Sequence, residues 1–427
     1  MARKMKDSGI EWIGEIPEGW EVSQLKYVTR WKSEKGCPDA PVLSLYRDFG
    51  VVPKDSRNDN HNVTSLDTSN YKVVDIGDLV INKMKAWQGS MAVSDYRGIV
   101  SPAYHVCSIT SNKVNKRYLH HLLRNPAYLP EYARLSTGMR IGQWDLGFDD
   151  FKNIPFLIPP LDEQAKIADY LDNGCASLDA MLSKTRSSIE EYKKLKQAVI
   201  TQAVTKGVRG EREMKDSGVE WIGKIPREFD PVQLKFFCKL ITDGTHFSPT
   251  TVENGWPYIT AGDVHGIGLD YNSAKRISEE DFQLLVAQGC QPLKGDVLLV
   301  KDGATTGRVG FVDSDTPCVI LSSVAMLRPA DNTDGHYLMY LLASDFLQKQ
   351  ILVSMAGSAM PRTTLTKLTK YIGLLSPLHE QKEIANYLDA KCAEIDKLIA
   401  KKEQLIKELE SYKKSLIYEV VTGKREV

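Results

Sequence analysis

The sequence lacks any long apolar run, and this absence bears first on membranes. No uninterrupted apolar stretch in its 427 residues approaches the ~18 that a membrane-spanning helix needs. The N-terminal segment MARKMKDSG is polar and has no apolar core of the kind found in secretion signals. The seven cysteines include no CxxC pair, which argues against a disulfide framework or a zinc site. We therefore expect a cytoplasmic protein with reduced thiols and no membrane partner.

The chain also lacks an excess of either charge, with 55 basic and 55 acidic side chains. A simple nucleic-acid binder is usually basic, so any such function has to rest on local patches. Catalytic motifs are missing as well. The one Pro-Pro pair follows Ile158 instead of the Asn or Asp of an adenine methyltransferase loop, and DGATTGRVG from Asp302 lacks the Gly-Lys pair of a phosphate loop. We expect no catalytic residue, no metal and no cofactor on this chain itself.

What the sequence does contain is a long internal repeat. MKDSGIEWIGEIPEGW starts at Met5, and MKDSGVEWIGKIPREF starts at Met214. PPLDEQAKIADYLD from Pro159 corresponds to SPLHEQKEIANYLD from Ser376. Solenoid repeats have periods of only ~20–50 residues, so this spacing indicates duplication of a whole domain. Because the tail VTGKREV resembles the linker VTKGVRG between the repeats, the C-terminus should lie near the N-terminal segment.

Between these phrases the two copies diverge, and they share only sparse marks such as a Gly-Asp pair before an apolar run. The order is therefore variable block, shared helix, variable block, shared helix. The expected bounds of these four parts are 1–160, 161–207, 208–377 and 378–427. Short β-branched runs such as GDVLLV between glycine turns indicate α+β blocks. This order is typical of a scaffold that presents two different binding domains.

Both shared helices carry apolar residues at alternating spacings of four and three, which is the a/d pattern of a coiled coil. The expected interface residues are Leu171, Leu178, Leu182, Ile189, Leu388, Ile395, Ile399, Ile406 and Leu409. Antiparallel pairing would relate the repeats by a pseudo-two-fold axis. The alternative is two separate amphipathic helices, each packed on its own domain, because Gly174 and several stripe lysines weaken the heptad pattern.

The repeated phrases make the chain resemble the specificity subunit of type I restriction–modification systems. The matching elements are SGIEWIGEIPEGW and PPLDEQ…IADYLD with their second copies, each copy closing on VTKG or VTGK. The resemblance implies two target-recognition domains that each read one half of a split double-stranded DNA sequence. It also implies that the paired helices fix the gap and dock two methyltransferase subunits, which nuclease–translocase subunits join. S-adenosylmethionine, ATP and Mg are then expected on those partners, and the chain itself is not an enzyme.

Polar loops at corresponding places in the two blocks are the candidates for DNA contact, because base edges and phosphates are bound by Arg, Lys, amide and hydroxyl groups. In the first block the candidates are Arg47, Lys54, Arg57, Lys83, Lys85, Gln88, Arg140 and Gln143. In the second block they are His246, Lys301, Thr305, Thr306, Arg308, Arg362 and Thr363. For any single residue, a solvated surface turn is the competing interpretation. The alternative functions are a coiled-coil adaptor for protein or carbohydrate ligands, and a nuclease with an unrecognised site.

Overall fold

The computed structural model describes residues 3–47, 49–57, 64–65, 67–138, 144–355 and 361–427. The chain forms two compact units, unit 1 (Met1–Arg186 with Gln404–Val427) and unit 2 (Ser187–Glu403). Each unit mixes helices and strands, so the α+β expectation is confirmed. The division between the units crosses both long helices, and each unit therefore contains one variable block together with part of each helix.

Unit 1 is built from short strands and three short helices before the first long helix. Its strands are β1 (Met5–Asp7), β2 (Glu15–Pro17), β3 (Glu21–Gln24), β4 (Thr29–Lys32), β5 (Leu43–Tyr46), β6 (Gly50–Pro53), β7 (Lys72–Val74), β8 (Asp78–Asn82), β9 (Met91–Val93), β10 (Gly98–Val100), β11 (Tyr104–Ile109), β12 (Ser136–Thr137), β13 (Asp145–Leu146) and β14 (Pro155–Ile158). Its helices are α1 (Lys116–Leu123), α2 (Leu129–Leu135), α3 (Phe148–Phe151), the first part of α4 (Leu161–Lys206) and the last part of α9 (Leu378–Val421).

Unit 2 repeats this plan with a different arrangement of strands. Its strands are β15 (Met214–Asp216), β16 (Lys224–Pro226), β17 (Asp230–Gln233), β18 (Cys238–Asp243), β19 (Thr251–Val252), β20 (Trp256–Ile259), β21 (Val264–His265), β22 (Gly268–Leu269), β23 (Lys275–Ile277), β24 (Val297–Val300), β25 (Val309–Phe311), β26 (Val319–Ile320), β27 (Val324–Pro329) and β28 (Ile372–Leu375). Its helices are α5 (Glu279–Ala287), α6 (Gly335–Ala343), α7 (Asp345–Ser354), α8 (Leu365–Leu368) and the first part of α9 (Leu378–Val421).

The same four-stranded antiparallel sheet occurs in each unit. Its strand order is β4-β11-β8-β9 in unit 1 and β18-β27-β24-β25 in unit 2. Because β11 runs antiparallel to both β4 and β8, these two strands end at the same edge of the sheet. The same holds for β18 and β24, which both pair antiparallel with β27. We call this edge, with the loops that leave it, the loop edge of each unit.

The Gly-Asp pair noted in both repeats marks the turn into the third strand of this sheet. The glycine has a positive φ in each copy, 89° at Gly77 and 92° at Gly295, a conformation that favours glycine. The aspartate that follows is buried and its carboxylate accepts a backbone N–H three residues back. Each carboxylate also pairs with a cation of the same sheet, Asp78 with Lys32 of β4 and Asp296 with Arg328 of β27, both at 2.8 Å. The repeat is therefore conserved between the copies for a structural reason.

The units differ in what packs beside this sheet. Unit 1 adds the hairpin β5–β6 and the pair β7–β10, whereas unit 2 adds a second four-stranded sheet of order β19-β23-β20-β26. In that sheet β20 pairs parallel with β26, and β23 pairs antiparallel with β20. The sequence divergence of the two blocks is thus concentrated outside the shared sheet and in its loops.

A buried glutamine explains the shared phrase at the start of each long helix. Gln164 and Gln381 are 1% and 0% exposed. The carbonyl of each side chain accepts one backbone N–H, and its amide donates to two backbone carbonyls. For Gln381 these partners are Asp334, Asn332 and Ser376, at 2.9, 3.0 and 2.7 Å. The side chain thus ties the helix start to the loop before α6, because buried polar groups require such partners.

The repeated opening phrase packs on the same helix start. In unit 1, the Glu163 carboxylate accepts a hydrogen bond of 3.1 Å from the indole of Trp20. It also forms an ion pair with Arg3 at 2.6 Å. In unit 2, the equivalent Glu380 pairs with Arg212 at 2.5 Å. The two sequence phrases therefore recur together because one packs against the other. The domain that was duplicated included both.

The long helices α4 and α9 pair, as the heptad pattern predicts. The expected interface residues that are buried are Leu171, Leu178, Leu182, Ile189, Leu388 and Ile395, and those that are half-buried are Ile399, Ile406 and Leu409. In unit 1, Asp179 pairs with Lys413 at 2.6 Å and Arg186 pairs with Glu410 at 2.7 Å. Residue numbers rise on one helix as they fall on the other, so the pairing is antiparallel. The alternative of two separate helices is wrong.

The glycine and the lysines that interrupt the heptad pattern each contact a residue of the other helix. Gly174 lies against Leu416, whose Cδ2 would be 3.5 Å from a Cβ added at the glycine. In unit 2, the stripe lysine Lys196 pairs with Asp396 at 2.6 Å. The stripe lysines Lys196 and Lys413 therefore form ion pairs with the other helix, while the apolar positions supply the buried area. Among the described residues, no helix is long and apolar enough to cross a membrane.

The C-terminal tail packs on the opening phrase within unit 1. This confirms the proximity that was expected because the tail resembles the linker between the repeats. The Lys424 ammonium donates a hydrogen bond of 2.9 Å to the Ile13 carbonyl. Gly423 lies so close to Pro17 that a Cβ there would come within 2.3 Å of the proline ring. The last residues of α9 and the first strands of the chain therefore share one core.

The neighbouring histidines of α1 have separate roles. His121 Nε2 lies 2.6 Å from Asp172 on α4, so it ties α1 to the long helix. His120 accepts a hydrogen bond of 3.3 Å at Nδ1 from the Val93 backbone N–H. Burial lowers the pKa of His120 to about 3, and the charge of Arg124 adds to this effect. His120 is thus a neutral packing residue on α1.

His120 should make unit 1 sensitive to acid. Its pKa is about 3 in the folded protein and about 6.5 in an unfolded chain. The unfolded state therefore binds the extra proton as the pH falls from 6.5 towards 3, and stability present above pH 6.5 is lost across this window at roughly 1 kcal/mol per pH unit. We expect His120→Gln, whose side chain cannot titrate, to show a shallower loss. Denaturant midpoints of both proteins between pH 7 and pH 4 measure this, and parallel curves would contradict it.

Candidate nucleic acid interface

Three segments that are far apart in sequence meet at the loop edge of unit 2. Asp243 ends β18, Lys301 and Asp302 follow β24, and Arg362 precedes α8. The Lys301 ammonium lies 3.3 Å from Asp243 and 2.7 Å from Asp302. The other carboxylate oxygen of Asp302 lies 3.0 Å from Arg362 Nε. The structure thus brings together the three loops that the sequence singles out in the second block.

Backbone hydrogen bonds hold these loops in place. The Gly303 N–H donates to the Pro361 carbonyl and the Thr363 N–H donates to the Lys301 carbonyl, both at 2.9 Å. The Thr306 hydroxyl donates to the Gly303 carbonyl at 2.7 Å. The turn after β24 and the segment before α8 therefore form one short antiparallel bridge, which fixes the side chains that leave it.

The candidate residues of unit 2 differ in their access to solvent. Exposed at this edge are His246, Arg308 and Arg362, and half-buried are Thr305 and Thr306. Lys301 and Thr363 are 2% and 0% exposed. The Thr363 hydroxyl shares a hydrogen bond of 2.6 Å with the Tyr371 hydroxyl. These two side chains therefore lie inside the unit, where they support the loops.

At the loop edge of unit 1, a short 3-10 helix follows β8 over Lys83–Gln88. Lys83 pairs with Asp145 at 2.7 Å, while Lys85 and Gln88 are exposed. The helix is braced by Trp87, whose ring centroid lies 5.3 Å from that of Trp144. Three of the predicted residues are thus placed together on one turn, and Trp87 supports that turn.

The other candidates of the first block lie elsewhere or cannot be placed. Arg47, Lys54 and Arg57 belong to the hairpin β5–β6 and its flanks. The Arg57 guanidinium stacks 3.9 Å from the ring centroid of Phe49. Lys54 donates to the Thr64 hydroxyl. Arg140 and Gln143 lie outside the residues that the structure describes.

Lys72 is a cationic residue that sequence reasoning missed at the loop edge of unit 1. Its ammonium donates a hydrogen bond of 2.5 Å to the Tyr104 carbonyl and lies 5.1 Å from the ring centroid of Trp31. Burial lowers the pKa of Lys72, and the charges of Lys83 and Lys35 lower it further. A cluster of lysines therefore converges at this edge. Lys72 is 8% exposed and begins a buried strand, so it lies beneath this edge, and its sequence context gave no sign of a place near it.

The aspartates of unit 2 were also missed, because a search for phosphate-binding groups passes over acidic residues. Asp243 and Asp302 are the partners that fix Lys301 and Arg362. Among the residues that the structure describes, no group of three or more His, Cys, Asp and Glu side chains could hold a metal ion. The two edges therefore present amides, hydroxyls and cations on fixed turns, which are the groups that contact bases and phosphates in DNA complexes.

Comparison with known proteins places the chain in a family. The model of the type I restriction modification DNA specificity domain matches residues 17–191 and again residues 226–411. The MjaVIII specificity subunit of a type I restriction enzyme from Methanocaldococcus jannaschii is 26% identical, over 96% of this chain and 93% of its own length. The EcoBI specificity subunit from Escherichia coli is 25% identical over 69% of this chain and 62% of its own.

Solved structures agree on the fold. A chain from a study of complex assembly and conformational transition in the type I R-M system has a TM-score of 0.72 at 18% identity, covering 96% of this chain and 99% of that one. The HsdS subunit from Thermoanaerobacter tengcongensis has a TM-score of 0.52 at 17% identity, covering 96% and 98%. Two matches to one domain model, in a chain with two copies of one sheet and two paired helices, lead to a single conclusion. The chain belongs to the family of type I restriction–modification specificity subunits.

Proposed function

We propose that each unit reads one half of a split sequence in double-stranded DNA, using the loops at its loop edge. One observation carries this proposal: the two units present different loops from the same edge of the same sheet. A shared scaffold with different surface loops is what two readers of different sequences need, because bases are distinguished by side chains and not by the framework that holds them. The exposed residues proposed to contact DNA are Lys85 and Gln88 in unit 1, and His246, Arg308 and Arg362 in unit 2.

The paired helices are proposed to set the gap between the half-sites and to dock two methyltransferase subunits, which nuclease–translocase subunits join. The surface of the helices supports a docking role. In unit 1, Met181 on α4 and Leu405 and Tyr412 on α9 are exposed apolar residues beside the buried stripe. Exposed apolar residues on a paired-helix surface suit further helix packing.

The subunit is proposed to act in the cytoplasm and to perform no chemistry of its own. S-adenosylmethionine, ATP and Mg would be bound by the partner subunits. The names of the related proteins, which are specificity subunits, support this division of labour. Nothing in the comparisons favours the adaptor for protein or carbohydrate ligands.

A block exchange tests the two-reader proposal. Residues from Trp31 to Phe151 would be replaced by the corresponding block of a relative, and the chain would be assembled with its methyltransferase subunits. We expect one half of the methylated sequence to change while the other half is kept, because unit 2 is untouched. Genome-wide mapping of methylated adenines measures both halves at once.

The reciprocal exchange in unit 2 is the matched control, and it should change the other half. If an exchange leaves both halves of the methylated sequence unchanged, the proposal that each unit reads one half-site is wrong. A change in both halves from one exchange would show that the units do not read independently.

A further inference from the structure

Four charged side chains form an ion-pair network at the loop edge of unit 2. Lys301 pairs with both Asp243 and Asp302, and Asp302 also pairs with Arg362. Two carboxylates face two cations, so the formal charges cancel. The lysine side chain is 3% exposed and the arginine side chain is 59% exposed. The network therefore begins inside the unit and ends on a single guanidinium at the surface.

Arg362 is held at two levels. Its backbone lies in the short bridge formed by the hydrogen bonds from Gly303 to Pro361 and from Thr363 to Lys301. Its side chain forms an ion pair with Asp302, whose Oδ1 lies 3.0 Å from Nε, and it remains 59% exposed. Asp302 is in turn held by the buried Lys301 ammonium at 2.7 Å. An arginine fixed in this way loses little conformational entropy when it binds.

We propose that Asp302 is a positioning residue that fixes Arg362 to bind O6 and N7 of one guanine in the half-site of unit 2. This inference rests on the proposed DNA-reading function and adds the base and the residues that read it. A bidentate arginine–guanine contact needs a guanidinium of fixed direction, because the two acceptors of the base edge are rigidly placed in the major groove. The network supplies that direction before DNA arrives.

The charge of the network favours a base over a phosphate. A phosphate contact gains its energy by neutralising DNA charge and releasing counterions. Here the charge of Arg362 is already balanced by Asp302, and the carboxylate would repel a full phosphate charge. The O6 and N7 atoms of guanine carry only partial negative charge, so they accept hydrogen bonds from the terminal nitrogens without this penalty.

Arg308 on the same edge provides the contrast. It is exposed and has no ion-pair partner among the described residues of the unit. It follows the turn after β24, where the Val300 N–H donates to its carbonyl at 2.8 Å. A free cation of this kind suits a phosphate, so the two arginines should differ in their dependence on salt.

The test uses the full chain assembled with its methyltransferase subunits, and duplexes that carry the methylated site identified by mapping. The half kept in the unit 1 block exchange is the half of unit 2, and each G·C pair in it would be replaced in turn. For the parent protein, one replacement should weaken binding roughly 5- to 150-fold. Arg362→Lys keeps the charge but loses the planar fork, and it should abolish the discrimination at that pair alone.

Asp302→Asn should reduce the same discrimination, and Asp302→Glu, which restores a carboxylate, should recover part of it. Arg362→Lys and Arg362→Ala should each leave the salt dependence of binding unchanged, because Asp302 balances the charge of Arg362. Asp302→Asn should not lower this dependence. Arg308→Ala should weaken binding to every duplex equally and reduce the slope of log affinity against log salt by about 1. Thermal unfolding of each variant checks that unit 2 remains folded.

Three outcomes would overturn the inference: no G·C pair in the unit 2 half-site, full discrimination by Arg362→Lys, or a uniform loss with a lower salt slope in Arg362→Ala. In each of these cases the block exchange can still succeed. The two-reader proposal fails separately, when exchange of a whole block leaves the methylated sequence unchanged.

Discussion

Replacing Leu182 with aspartate should break the pairing of α4 with α9 in unit 1. Leu182 lies in the stripe between the helices and is 5% exposed. A carboxylate there would be buried without a cation, and an unpaired buried charge costs more than the loss of a buried side chain. Truncation to alanine alone costs about 2–5 kcal/mol, from the lost apolar area and the cavity left behind. We expect the aspartate variant to lose soluble expression, or to unfold well below the parent temperature and fail to assemble with methyltransferase subunits.

The adjacent residue supplies a matched control. Met181 is 52% exposed on the outer side of the same helix turn, so Met181→Asp introduces the same charge without burying it. We expect that variant to keep the unfolding temperature of the parent within a few degrees. Equal behaviour of the two variants in thermal unfolding and in gel filtration would show that the stripe does not hold the helices together.

The paired helices could be predicted because their pattern is local and is present twice. Leu178 and Ile395 occupy equivalent stripe positions, and both are buried as the heptad requires. Gly174 and Lys196 were harder to interpret from the sequence, because their partners lie on the other helix and are far away in the chain. Only the antiparallel register shows that Leu416 covers the glycine and that Asp396 pairs with the lysine.

The candidate site was harder to predict, because exposure depends on contacts between distant segments. Lys83 and Lys301 each follow the equivalent strand of the two units. The first remains partly exposed beside Asp145, whereas the second is buried between Asp243 and Asp302. Residue type and loop position are the same, so the sequence cannot separate the two lysines.

Pattern reasoning also favoured cations over acids, and it therefore missed the aspartates that orient them. In unit 2 the surface guanidinium of Arg362 depends on Asp302, which is next to Lys301 in the chain but is 60 residues away from the arginine it holds. A search for phosphate-binding residues selects the cation and overlooks its partner. Recognition of bases depends on direction as well as charge, so both members of such a pair belong to the proposed site.

Lengthening both paired helices should lengthen the gap between the two half-sites. Inserting one heptad into both helices, between Arg186 and Ser187 and between Glu403 and Gln404, lengthens each at the division between the units. Seven residues keep the a/d register and add ~10 Å, which is about three base pairs at ~3.4 Å each. We expect the methylated sequence to keep both half-sequences and to gain a longer gap. Mapping of methylated adenines measures the gap directly.

Insertion in the linker after α4 is the control for this design. Arg209 and Arg212 tie that linker to the start of α9, through Glu383 at 2.8 Å and Glu380 at 2.5 Å. Extra residues there should form a loop within unit 2 and leave the gap unchanged.

Three base pairs also turn the duplex by roughly 100°, since one turn takes about 10.5 base pairs, so rotation has to be separated from length. An insertion of three heptads in both helices adds ~32 Å, close to the ~34–36 Å of one DNA turn, and restores most of the rotational phase. If one heptad abolishes methylation, the three-heptad protein should methylate the same half-sequences at a gap about nine base pairs longer. The gap would not depend on the helices if both proteins methylated the parent sequence with its original gap, and the helices would then act only as a dock for partner subunits.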